Sequence, residues 1–166
     1  YLDSIGTVLV GFLAGRRAGA ATGVLGTLIW SLFAPTVLPF AAGAALIGFL
    51  AGTAARFGAV RRVYLAPIAG LVSGVLVGAI SAPVAAFVFG GTSGVGTGAL
   101  VAVFRSMGDS LLSAVTKQAL LSDPGDKAIV FLIAALLVYA LPNRMSQSYE
   151  FVRRYRVLGR RGGERG

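Results

Sequence analysis

Few residues in this sequence are able to do chemistry, and their kinds are restricted. There is no histidine and no cysteine, which removes thiolate and imidazole metal ligands, cysteine nucleophiles and a histidine general base. The chain has six acids, and no paired carboxylates suited to general acid and base work are evident among them. What remains is binding chemistry. Asp3 with Ser4, the set Arg105, Asp109 and Lys117, and the neighbours Asp126 and Lys127 offer charge, Thr92 and Ser93 offer hydroxyls, and Trp30 offers a flat ring for stacking. These form the candidate substrate-binding set; no catalytic residue, metal or cofactor is expected.

Each candidate also has a plainer reading. Asp3 and Ser4 suit the start of a helix, and Asp123 and Asp126 flank Pro124 in a pattern that suits helix capping. Arg105 and Asp109 are four apart, so they could form a solvated pair of small energetic value. Trp30, Phe33 and Phe40 near one set of segment ends, and Tyr64 and Tyr139 near the other, match the aromatic belts of a bilayer.

The elements that must position these residues are overwhelmingly apolar. Hydrophobic residues make up 56% of the 166, charged residues only 13%, and the mean hydropathy is +0.82. A water-soluble domain carries about twice that charged fraction. Apolar segments cover residues 2–14, 18–33, 38–55, 63–89 and 128–141. Several are shorter than the roughly 20 residues that cross a bilayer core, and tilt and snorkelling arginines extend them. The expected fold is an all-α integral membrane protein, a bundle of five transmembrane helices.

Charge orients the segments. The net charge is +9, and seven arginines follow Asn143: Arg144, Arg153, Arg154, Arg156, Arg160, Arg161 and Arg165. The rest punctuate the apolar segments in ones and twos, as topology signals do, so nucleic acid is not an expected partner. Arg16 and Arg17, then Arg56, Arg61 and Arg62, then the basic tail fall at alternate segment ends. Those ends are expected in the cytoplasm, and the cell membrane is the expected location, multi-pass with a cytoplasmic C-terminus. This scheme leaves residue 1 outside with no initiator Met or signal sequence, so a sixth helix upstream is expected. Residues 1–143 then form the membrane domain and 144–166 a basic cytoplasmic tail. The tail from Ser146 is basic and amphipathic, with Phe151 and Tyr155 four apart, and suits either a segment that lies on an anionic leaflet or, beyond Gly159, a disordered end.

Residues 90–127 break the apolar pattern as an insertion. They open on Gly90-Gly91-Thr92-Ser93-Gly94-Val95-Gly96-Thr97-Gly98, which lacks the Lys-Ser or Lys-Thr of a phosphate loop because Ala99-Leu100 follow. An amphipathic helix is predicted over 99–121, with Leu100, Val103, Phe104, Met107, Leu111 and Val115 on one side, and Gly108 can divide it. Arg105, Asp109, Ser113, Thr116 and Lys117 form the polar side, either a solvated face or the lining of a substrate pocket.

Tyr1-Leu2-Asp3-Ser4-Ile5-Gly6-Thr7-Val8 leading into a Gly-rich helix pair resembles the second and third helices of S-components of energy-coupling factor transporters. The Gly90–Gly98 stretch, the amphipathic insertion and Asp123-Pro124-Gly125-Asp126-Lys127 before a final helix are similar to uncharacterised members of that group. The resemblance covers most of the chain up to Asn143 and rests on the order of several motifs. It implies six helices holding a vitamin-like micronutrient near the extracellular side, with no chemistry done on it. The implied partners are a membrane coupling subunit and two ATP-binding cassette ATPases, together with membrane lipids. The family's first helix, with its small-residue docking face, has no counterpart here. The alternative is a ligand-sensing membrane domain of a signalling receptor.

Overall fold

The computed structural model describes residues 2–90 and 97–158. Eight α-helices lie among them: α1 (Ile5–Ala14), α2 (Arg16–Ser31), α3 (Ala41–Arg56), α4 (Leu65–Phe89), α5 (Thr97–Ser106), α6 (Leu111–Ala140), α7 (Asn143–Ser146) and α8 (Glu150–Tyr155), with a 3-10 helix at Pro35–Phe40. No strand occurs among the described residues.

Punctuation in the sequence accounts for most of the boundaries. Gly15 alone separates α1 from α2, and its φ of 91° is a conformation that side chains rarely adopt. Pro35 starts the 3-10 helix, where a missing N–H costs nothing. The chain turns between α5 and α6 at Gly108, with φ 94°, so the glycine divides the amphipathic stretch as its sequence suggests. Ser110 caps α6 by accepting a bond from the Ser113 N–H at 3.3 Å.

Helix α6 departs from expectation. The last helix does not begin near Ser122; it runs 30 residues without a break from Leu111, straight through Pro124 and Gly125. Asp123 and Asp126 therefore sit mid-helix and cap nothing. The amphipathic stretch after Gly108 and the last apolar segment are one helix, about 45 Å long.

What holds the Pro-Gly segment helical is close packing on α4. Gly70, Gly74 and Gly78 form one stripe, and a methyl group on Gly74 would lie 2.5 Å from the Pro124 Cα. On Gly70 it would reach the Lys127 carbonyl and lie 2.6 Å from the Ala128 Cα. A second seam joins α2 to α3, where Gly19 meets Gly48, Gly23 meets Ala44, and Gly52 meets the Arg16 backbone. Small residues at four-residue spacing bring helix backbones together in this way in lipid. Helix α1 packs on α2, α3 and α6, and α3 on α4, which closes the bundle.

Two helical stretches are long and apolar enough to cross a membrane, Pro35–Arg56 and Leu65–Phe89. Helix α1, with ten residues, is about half the thickness of a bilayer core. Beneath Ser4 the core comprises Val8 and Phe12 of α1, Ile47 and Ala51 of α3, and Val130, Phe131, Ala134 and Val138 of α6, all buried. Phe12 and Phe131 meet edge to face, with centroids 5.7 Å apart. The tail is docked as far as Leu158: Val152 and Val157 join this core, Phe151 packs over Gly15, and the Arg56 guanidinium lies 5.0 Å from the Tyr155 ring.

Because a side chain on Gly74 would strike backbone, Gly74→Ala is expected to cost about 1–3 kcal/mol and to lower the melting temperature. Gly26→Ala, whose added methyl meets nothing within 4 Å, is the matched control and should melt as the parent does. Thermal unfolding in detergent of both variants checks the seam.

Candidate functional site

A cavity of about 720 Å³ opens where the N-terminal end of α1, the C-terminal ends of α2 and α4, the N-terminal end of α3 and the middle of α6 converge. Trp30 of α2 and Phe40 of the 3-10 helix give it aromatic walls, and Ile47, Val77 and Val115 add apolar ones. Phe40 is fixed by stacking on Phe89, with centroids 5.6 Å apart and planes 12° apart. Trp30 is 62% exposed and touches Phe33 at 6.4 Å between centroids, so most of its ring is free to meet a ligand.

The polar floor is built around Lys127, of which 8% is exposed. Its Nζ donates to Asp126 Oδ2 at 2.5 Å, to Ser4 Oγ at 3.0 Å and to Asp3 Oδ1 at 3.5 Å. Asp126 Oδ1 accepts from the Leu2 N–H at 2.8 Å, and Ser4 Oγ donates to Asp3 Oδ1 at 3.1 Å. Ser4 stands in the N-cap position of α1 but makes no side-chain capping bond. Its hydroxyl serves Lys127 instead. The seam explains how α6 presents these groups. With the Asp123–Ala128 backbone pressed onto the glycines of α4, the side chains of Asp123, Asp126 and Lys127 reach the cavity.

Five of the ten sequence candidates therefore line one cavity: Asp3, Ser4, Trp30, Asp126 and Lys127. Arg105, Asp109 and Lys117 do not. Lys117 pairs with Asp109 at 2.8 Å to both carboxylate oxygens, and its Nζ lies 5.9 Å from the centre of the Phe104 ring. The partner of Asp109 is thus Lys117, from the next helix, in place of Arg105. The Lys117 hydrogen bond holds the Asp109 carboxyl below its ordinary range. Thr92 and Ser93 lie outside the described residues.

Sequence reasoning missed Thr7, Thr27, Ser81, Gln118 and Asp123, which also line the cavity. The hydroxyl residues sit singly in apolar helices and carry no pattern; Thr27 bonds to its own helix at Gly23, as such residues commonly do. Gln118 is buried, with its amide on Ser122 Oγ at 2.6 Å. Among the described residues no group of three acids is placed to hold a metal ion. No family model, curated protein or solved structure matches the chain.

The two lysines differ in setting: the Lys127 side chain is 10% exposed and that of Lys117 52%. Lys127→Met strands the buried Asp126 carboxylate, whose side chain is 5% exposed, so a loss of about 3–5 kcal/mol is expected. Lys117→Met should leave the melting temperature nearly unchanged. Comparing the two melting curves tests the assignment of the floor.

Proposed function

We propose that the chain is an integral membrane protein that captures a small micronutrient and makes no change to it. In this reading it is the substrate-binding S-component of an energy-coupling factor type transporter, delivering its ligand to a coupling subunit driven by two ATPases. The observation that carries the reading is the cavity: about 720 Å³, walled by six elements, aromatic on one side and polar at its floor. Binding sites for drug-sized ligands are built this way, largely apolar with a few placed polar groups.

Two further observations support a membrane setting. Only 28% of the best apolar window in Pro35–Arg56, and 39% of that in Leu65–Phe89, is buried inside the protein. The core helix of a water-soluble domain would be mostly covered. Here Ile68, Leu71, Val72, Val75 and Leu76 of α4 and Leu25, Leu28, Ile29, Leu32 and Phe33 at and just past the end of α2 stand exposed, apolar surface suited to lipid. The arginines then orient the bundle. Arg16 and Arg17 begin α2, Arg56 ends α3, and Arg61 and Arg62 precede α4, all at the ends of those helices away from the cavity. By the positive-inside rule the cavity faces outward, with five crossings in this chain, the side from which an uptake protein must load.

The cysteine-free sequence makes the orientation directly measurable. A single cysteine at Thr36, on the 3-10 helix, should react with a membrane-impermeant maleimide in whole cells, and one at Arg62 only after permeabilisation; the reverse result would defeat the outward-facing cavity. For function, affinity purification of the full protein from its own cells should recover a membrane coupling subunit and two ATPases, with a small molecule seen by mass spectrometry. Recovery of a kinase or cyclase in their place would favour a sensory role.

A further inference from the structure

The hydrogen bonds at the cavity floor narrow the kind of ligand. An ammonium has three protons to donate. Lys127 places all three within the protein, on Asp126, Ser4 and Asp3, and keeps none for a ligand's carboxylate or phosphate. Asp126 is likewise committed through both oxygens, to Lys127 and to the Leu2 N–H. Asp123 is different. It lines the same cavity, and it takes part in none of the ion pairs within 4.0 Å among the described residues. Its Oδ2 would lie 3.2 Å from a methyl group on Gly78, which sets it beside α4, and the charge of Lys127 acts on it without a direct ion pair.

We infer that the cavity takes an organic cation, its ammonium or cationic heterocycle set against Asp123 and its apolar body between Trp30 and Phe40. This rests on the substrate-capture reading and names the class of substrate. Three carboxylates and one ammonium line the cavity, so its charge is negative in a protein whose net charge is +9. An anion entering it would meet three carboxylates against one ammonium whose protons are already given to the protein. A cation finds a charge partner in Asp123 and an aromatic face in Trp30, and the ring quadrupole adds to the attraction. A bare metal ion fits poorly, because no three acids converge to ligate one among the described residues. The aromatic walls would be left without a role.

Trp30 is the only tryptophan in the chain, so indole fluorescence reports on this cavity alone. The test uses the full protein in lipid nanodiscs and three probes of one skeleton: 3-phenylpropylammonium, 3-phenylpropanol and 3-phenylpropionate. The ammonium should quench Trp30 saturably with a Kd about tenfold or more below that of the carboxylate, and Asp123→Asn should remove that preference. Asp109→Asn, which alters a carboxylate outside the cavity, should keep it. If the carboxylate or the alcohol bound as tightly as the ammonium, the cationic class would be overturned and the cavity would stand as a ligand site. If none of the three quenched saturably, the capture reading would fall with it. Should Asp123→Asn not fold, the ranking of the three probes on the parent protein decides alone.

Discussion

A buried ammonium is the constraint around which this bundle is arranged. In so apolar a chain an unpaired Lys127 would be prohibitively unstable. Its satisfaction needs Asp126 from its own helix and Asp3 and Ser4 from the far end of the sequence, over 120 residues away. Those bonds fasten α6 to the start of α1 and divide the bundle into two storeys. Below Lys127 the space is filled by Val8, Phe12, Val130, Phe131 and Ala134. On its other side the room lined by Thr7 of α1 and by α2, the 3-10 helix, α3, α4 and α6 is the cavity.

The glycine seams are what allow such a division. A 16.9 kDa chain has little side-chain volume to spare for both a filled storey and an open one. Gly70, Gly74 and Gly78 let α6 lie directly on α4, and Gly19, Gly23 and Gly48 do the same for α2 and α3. Two tightly joined pairs then act as walls. The open volume between them is kept by helix backbones that cannot collapse further, rather than by large side chains held apart.

Much of the element pattern was legible in the sequence, because its signals are local. The apolar segments, the break at Gly108 and the turn at Pro35 are each specified by a few neighbouring residues. Arginine placement also grouped Asp3, Trp30, Asp126 and Lys127 at one end, and they do share a cavity. The continuity of α6 was not legible. Pro124-Gly125 is a local stop signal, and only the glycine stripe of another helix, some 50 residues earlier, overrides it. The same non-local packing turns Asp123 from an apparent cap into part of the cavity lining. Ser81 and Gln118 were invisible for a related reason: single polar residues in apolar helices acquire meaning only from what faces them. Arg105, Asp109 and Lys117 stay outside the cavity, and the turn at Gly108 lets Lys117 of α6 reach Asp109, a pairing eight residues apart that helical spacing does not suggest.

The joint at Gly15 sets how parts of this molecule can move together. One residue connects α1 to α2, and the Phe151 ring of the docked tail rests against it. The point about which α2 can tilt at its Trp30 end is therefore the point on which the tail is seated, so the mouth of the bundle and α8 share one pivot.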